Sequence, residues 1–425
     1  MKLGKTCLGS IAQVKNGFAF KSKEYIGSGL RVVRITNVQK GEIVDSNPQF
    51  VDESRTDEFK EYLLFSGDIL ISLTGNVGRV GVLTKDLEPA VLNQRVACIR
   101  VKNKKEVYSK YLFLYLNSDL FERECINNSN GIAQLNLSSK WVENYQIPLP
   151  PLYDQIRIAA VLTRAAVLIA KHKESIKALD EFLKSTFLEM FGDPVSNEKG
   201  LLLSPLGERL SIKHGFAFQG KYFSNTGEYV LLTPGNFFEE GGYRDRGDKQ
   251  KYYQGEIPQE YLLNKGDLLI AMTEQAPGLL GSSLIVPDSN KFLHNQRLGL
   301  IILKKDDLNR FYLFHLFNHH NIRRLIHSKA TGTKVRHTSP SKIEEIKVLL
   351  PPLSLQNQFA AIVEKVEALK ARYTQSLTEL ENLYGSLSQL AFKGELDLSK
   401  VPMERGTRGR FSCANMGKFR PIIVE

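Results

Sequence analysis

Leu149-Pro150-Pro151-Leu152 and Leu350-Pro351-Pro352-Leu353 decide how the rest of the chain is read. Each closes an apolar run, Ile147–Pro151 in one case and Val348–Pro352 in the other, and each opens a long apolar-periodic segment. Tyr153-Asp154-Gln155-Ile156 follows the first pair, and Ser354-Leu355-Gln356-Asn357-Gln358 follows the second. Proline is tolerated in the first turn of a helix, where its missing N–H has no partner to lose, but not in the interior. The pattern therefore predicts a strand, a Pro-Pro stop and a helix, twice.

The surroundings repeat in the same order. Leu8-Gly9 leads to Asn16-Gly17-Phe18-Ala19-Phe20, and Leu206-Gly207 leads to His214-Gly215-Phe216-Ala217-Phe218. Gly67-Asp68-Ile69-Leu70-Ile71 answers Gly266-Asp267-Leu268-Leu269-Ile270, Asn93-Gln94-Arg95 answers Asn295-Gln296-Arg297, and Gly131 answers Gly332. The offsets are 198, 199, 202 and 201 residues, which means two copies of a domain and not a solenoid of short units. Within each copy, strand-length runs such as Arg31–Ile35, Ile69–Leu73, Val80–Leu83 and Val96–Val101 are bounded by turn residues, while Tyr108–Leu120 and Leu308–Phe317 read as helices. The predicted class is α+β: two similar α/β domains separated by two long helices that form a coiled coil.

Those helices carry apolar ladders with steps of three and four, the 3.5-residue average of a coiled-coil seam. The first runs Ile158, Leu162, Ala165, Ile169, His172, Ile176, Leu179, Leu183, Thr186, Met190. The second runs Phe359, Ile362, Val366, Leu369, Tyr373, Ser376, Leu380, Leu383, Leu387, Leu390. Gly192-Asp193-Pro194 and Gly394 mark their ends. At ~1.5 Å per residue, ladders of this length make a rod of about 50 Å.

The chain has 425 residues, a net charge of +11 and a pI near 9.2; such a field favours a polyanionic partner. Its four cysteines form no C-x-x-C pair, which speaks against a thiolate zinc site or a disulfide framework and suits a reducing compartment. The N-terminus has no apolar h-region and no run nears the ~18 apolar residues of a membrane span. A cytoplasmic protein with no membrane partner is expected.

No Walker, dinucleotide or H-E-x-x-H motif occurs, and no nucleophile–base set stands out. Gly75, Gly78 and Gly81 are read as shaping a loop, and Asp68 and Asp267 as turn residues entering strands. His315, His319, His320 and His327 lack a nearby carboxylate or thiolate. With Arg323, Arg324 and Lys329 they are read as a basic helix face and not as metal ligands. No catalytic, cofactor or metal residue is assigned. What collects instead, at corresponding loops, are the Asn, Gln and Arg side chains that pair with base edges and the Lys and Arg that neutralise phosphate. In the first copy these are Thr74, Asn76, Arg79, Asn93, Gln94, Arg95, Gln134, Asn136, Ser138 and Lys140. In the second they are Thr273, Gln275, Asn295, Gln296, Arg297, Lys334, Arg336, His337 and Thr338. A structural reading of the recurring Asn-Gln-Arg, as scaffold, stands beside this one.

The ordered doubling resembles the specificity (S, or HsdS) subunit of type I restriction–modification systems over residues 1 to about 398. It rests on Ile147-Pro148-Leu149-Pro150-Pro151-Leu152 with Gln155, on the second copy with Gln356 and Gln358, on Phe392-Lys393-Gly394-Glu395-Leu396, and on the segment from Gly332-Thr333 to Pro340. The resemblance implies target recognition domains at 1–151 and 193–352, conserved helices at 152–192 and 353–398, and a basic tail at 399–425. It implies a pseudo-twofold arrangement with the two helices antiparallel, in which each recognition domain reads one half of a bipartite site in double-stranded DNA while the paired helices set the spacer. Two modification (methyltransferase) subunits would bring S-adenosylmethionine, and two restriction (motor-nuclease) subunits would bring ATP and Mg. Residues Val401–Glu425, with Arg405-Gly406-Thr407-Arg408-Gly409-Arg410, depart from the family's expected end. The alternatives are a coiled-coil scaffold that binds proteins without reading DNA, and an enzyme with cryptic active-site residues.

Overall fold

The computed structural model describes residues 4–131, 134–275, 278–333 and 335–401. The chain divides into two units: Ser175–Tyr373 is one, and the chain on either side of it forms the other. The latter is called the first unit below. The C-terminal residues of the predicted basic tail, 402–425, lie outside the described residues.

Each unit is built on the same pair of sheets. In the first, Ala12–Asn16, Val96–Val101, Ile69–Ser72 and Val80–Val82 lie side by side in that order, all antiparallel. In the second, Leu210–His214, Leu298–Leu303, Leu268–Ala271 and Ser283–Ile285 repeat the order. A second four-stranded sheet contains the one parallel pair among the described strands of each unit, Val32 against Val91 and Val230 against Phe292. The Ile69–Ser72 strand is buried along its whole length. Successive side chains point to opposite faces, so Ile69 and Ile71 enter the core shared with the helices while Leu70 enters the core between the sheets. Leu268 and Ile270, with Leu269 and Ala271, do the same in the second unit. Burial on both faces explains why these strands are apolar without alternation.

The Pro-Pro stops behave as the sequence predicts. Gln146–Pro148 pairs antiparallel with Lys5–Cys7, and Lys347–Leu349 with Leu203–Pro205; the helices Leu152–Phe191 and Leu353–Lys393 follow directly. Each helix ends at a glycine of positive φ, Gly192 at +75° and Gly394 at +77°, a conformation that costs other residues most. The glutamines after the prolines are buried nodes. Gln155 accepts from the Tyr108 N–H at 2.8 Å and donates to the carbonyls of Glu106 and Pro150 at 2.9 and 2.8 Å. Gln356 accepts from the Asn309 N–H at 2.8 Å and donates to Asp307 and Pro351 at 3.0 and 2.8 Å. Beside them, the Tyr111 and Tyr312 hydroxyls donate to Pro148 and Leu349, each at 2.8 Å.

Within each unit the start of one long helix packs antiparallel against the end of the other. Ile158 and Leu162 share a core with Ala391 and Phe392 in the first unit, where Lys173 pairs with Glu381 at 2.9 Å and His172 meets Ser376 at 3.2 Å. In the second unit, Leu183, Phe187 and Phe191 share a core with Phe359, Val363 and Val366, and Lys370 pairs with Asp180 at 2.6 Å.

Two sequence readings are corrected. The second ladder has the right column in Phe359, Val366, Tyr373, Leu380 and Leu387, and of its companion column Ile362 packs against the core and Ser376 meets His172, but the three leucines turn outward. Leu369, Leu383 and Leu390 are 41%, 50% and 39% exposed, whereas Val363 and Ala391 are buried. Both companion columns keep the three–four stepping and each is apolar at four of five positions, with Ser376 in one and Lys370 in the other, so the choice falls to whichever residues continue into the domain cores. The helix read over Tyr108–Leu120 is two helices, Ser109–Leu116 and Asp119–Asn127, because the Ser118 hydroxyl caps the second by accepting from the Phe121 N–H.

Candidate nucleic-acid interface

The central buried strand delivers its last residues into a junction of three loops. In the first unit the Leu73 N–H donates to the Arg95 carbonyl at 3.0 Å and the Leu73 carbonyl accepts from the Leu137 N–H at 2.7 Å. Thr74 is bridged to Asn136, and the Gly75 N–H reaches Leu135. In the second unit the Met272 N–H donates to Arg297 at 3.0 Å, its carbonyl accepts from Thr338 at 2.9 Å, and Thr273 and Glu274 pair with His337 and Arg336. Residues far apart in sequence thus reach one end of the sheet in both units.

Most of the predicted contact residues stand free there. Asn76, Gln94, Arg95, Gln134, Asn136, Ser138 and Lys140 are exposed in the first unit, and Gln275, Gln296, Arg297, Arg336 and His337 in the second. Thr74, Arg79, Thr273 and Thr338 are half-buried. Arg79 donates to the Gln39 side chain at 2.6 Å, which ties the preceding loop to the junction. Ser138 accepts from the Lys140 N–H at 3.2 Å and caps the short helix Ser139–Asn144. Lys334 lies outside the described residues.

Asn93 and Asn295 are different and are withdrawn as contact residues. They are 8% and 9% exposed, and their side-chain oxygens accept the N–H of Arg95 at 3.3 Å and of Arg297 at 3.1 Å. Each asparagine therefore forms the turn that presents the Gln-Arg pair. The Gly-Phe-Ala-Phe motif explains itself at the same place. A Cβ at Gly17 or Gly215 would lie 2.3 or 2.1 Å from the backbone of Asn93 or Asn295, so only glycine lets the strands approach.

The basic helix face is also corrected. His315 is packed among Phe187, Phe314 and Phe359, and burial pushes its pKa down to about 4, so it is neutral. His319 caps the next helix through its Nδ1 and is likewise lowered by burial. Arg323 spends its guanidinium on the carbonyls of Leu280 and Glu239, both at 2.8 Å, and of Gly278. Among the described residues no group of three or more His, Cys, Asp or Glu side chains is arranged to hold a metal ion. Gly75 and Gly78 shape the predicted loop, with φ of +69° and +79°, whereas Gly81 lies in the strand Val80–Val82. Asp68 and Asp267 accept the N–H of Phe65 and Asn264 at 2.9 and 2.8 Å, as turn residues do.

Sequence reading missed the residues that hold the loops. Asn37 and Asn236 are buried and each accepts the N–H three residues back, from Arg34 at 2.9 Å and Thr233 at 3.0 Å. Their shared offset of 199 residues was the available signal.

The comparisons with known proteins agree with this duplication. The family described as type I restriction modification DNA specificity domain matches residues 3–181 and again 203–382. A type I restriction enzyme MjaVIII specificity subunit from Methanocaldococcus jannaschii is 30% identical over 405 residues, covering 92% of this chain and 88% of the relative. The Escherichia coli EcoKI specificity subunit is 21% identical over 91% of this chain and 88% of its own. Among solved structures, a chain from work on complex assembly and conformational transition of the type I R-M system superposes with a TM-score of 0.56 at 19% identity, over 93% of this chain and 100% of that one. The S subunit from M. genitalium gives 0.53 at 14% identity, over 92% and 96%. No helix among the described residues is long and apolar enough to cross a membrane.

Proposed function

Since the chain belongs to the family of type I restriction–modification specificity subunits, we propose that each of its units reads one half of a bipartite site in double-stranded DNA. One observation carries this reading. In both units three loops are clamped together at the end of the same buried strand, and what they offer to solvent is amides and guanidinium groups. Gln94 and Arg95, with Gln296 and Arg297, are the side-chain types that form paired hydrogen bonds with adenine and guanine edges. Lys140 and Arg336 are suited to phosphate.

The paired helices set the unread spacer and dock two modification subunits, whose S-adenosylmethionine supplies the methyl group; two restriction subunits bring ATP-driven cleavage. This chain is non-catalytic and holds no cofactor of its own. The exposed Leu383 and Leu390, seven residues apart in the first unit, and the exposed Leu369 in the second support the docking half of the reading. The test is exchange. Replacing residues 1–151 with the corresponding domain of another specificity subunit should change one half of the methylated motif and leave the other. A change in both halves, or in neither, overturns the reading.

A further inference from the structure

The loop that follows the central strand is held differently in the two units, and the holding residues touch the reading surface from behind. In the second unit the Glu274 side chain is turned inward, only 4% exposed. One carboxylate oxygen accepts three backbone N–H groups, from Gly278 at 3.0 Å, Leu279 at 3.1 Å and Leu280 at 2.9 Å. The other lies 3.5 Å from His327 Nδ1, which is itself 3.5 Å from the Arg336 guanidinium. Arg323 grips the carbonyls of Gly278 and Leu280 on the same loop. The backbone of Glu274 pairs with that of Arg336, so one residue both belongs to the reading strand and holds the Gly278–Leu280 backbone. A buried carboxylate with three amide donors is a strong and directional restraint.

The first unit does this without charge. Ser72, with no exposed surface, accepts the Arg79 N–H at 3.1 Å and donates to the Asn76 carbonyl through its hydroxyl. Its loop closes tightly through glycine: the Gly78 N–H returns to the Ser72 carbonyl at 3.0 Å.

We propose that Glu274 is a specificity-setting positioning residue for the second unit's half-site and that Ser72 is its counterpart in the first. Neither touches DNA; Glu274 holds the Gly278–Leu280 backbone beside the exposed Gln275, and Ser72 holds the backbone of Asn76 and Arg79, whose side chains do. Base readout needs side chains held to a fraction of an ångström, so loosening the loop degrades discrimination before it abolishes binding. The inference rests on the DNA-reading function above.

The experiment uses the full chain assembled with its modification subunits and reads the methylated motif genome-wide, together with complex assembly. Glu274→Ala should relax the second unit's half of the motif, lowering discrimination there roughly tenfold, the scale of one mismatched base pair. The first unit's half should stay intact. Ser72→Ala should do the reverse. Glu274→Gln keeps one acceptor oxygen and removes the charge, so it should fall between Glu274→Ala and the parent. An unchanged motif in Glu274→Ala, or equal relaxation of both halves, overturns the proposal. If Glu274→Ala does not assemble, Glu274→Gln and Ser72→Ala decide: each must relax its own half alone. A parent complex whose methylation ignores the sequence of either half would instead overturn the DNA-reading function itself.

Discussion

The two units share their joints and differ in their interiors. At the joints the match is residue for residue: Gln155 and Gln356 bind equivalent backbone groups, Tyr111 and Tyr312 equivalent carbonyls, and Phe392 and Phe191 pack on those tyrosines. Away from them, the first unit has the buried Leu92 and Leu114 where the second has the buried His294 and the half-buried His315. The loop anchors are Ser72 in one and Glu274 in the other. Positions that join strand, Pro-Pro stop and helix must satisfy fixed backbone groups in a dry site, so few side chains serve. Positions that merely fill volume are freer: the His294 Nε2 meets the Leu298 carbonyl at 2.9 Å, and His315 lies against phenylalanine rings.

The largest expected consequence is acid lability of the second unit alone. Burial lowers the pKa of both His294 and His315 from 6.5 to about 4. The unfolded chain takes up protons there that the folded unit refuses, so stability present above pH 6.5 is lost as pH falls toward 4. At pH 5 this amounts to about 2 kcal/mol per histidine. Trp141, the chain's one tryptophan, lies in the first unit. Acid titration should therefore lower the circular dichroism before it alters Trp141 fluorescence. Replacing both histidines with leucine should bring the two transitions together; simultaneous transitions in the parent chain would contradict the assignment.

The glutamine joints give a symmetrical effect of intermediate size. Gln155→Ala and Gln356→Ala each strand one buried N–H and two carbonyls, and each should cost about 3 kcal/mol. Urea unfolding followed by peptide-resolved hydrogen exchange should place the first loss in the first unit and the second in the second. Markedly unequal losses would show that the joints are not equivalent.

The smallest effect separates the two columns of the second helix. Val363→Ala should destabilise the second unit by about 1–2 kcal/mol, while Leu369→Ala should stay within about 0.5 kcal/mol in the isolated chain. Comparable losses on thermal melting would restore the ladder first read from the sequence.

Much of the candidate interface was legible because its residue types are unusual in loops and recur at corresponding places. Gln94, Arg95, Gln296 and Arg297 stand exposed. Asn93 and Asn295 belonged to the same repeated triplet, yet they are structural, because only the folded turn shows which amide faces inward. The histidines failed for a similar reason. A basic-looking helix face is a charge pattern, and the Phe187 and Phe359 rings that flank His315 come from distant segments.

The amino-acid sequence alone determined the duplication, the strand–Pro-Pro–helix joints, the glycine-terminated helices and the seven-residue column shared by both ladder readings. These depend on neighbours a few residues apart and on backbone chemistry that proline and glycine impose locally. Tertiary structure alone decided which residues of the companion columns turn inward, which asparagines are scaffold, and that Ser72 and Glu274 hydrogen-bond the backbone just beyond the central strand. Each of those depends on groups brought together across long stretches of chain, as Leu73 meets Arg95 and Leu137, and periodicity carries no record of such meetings.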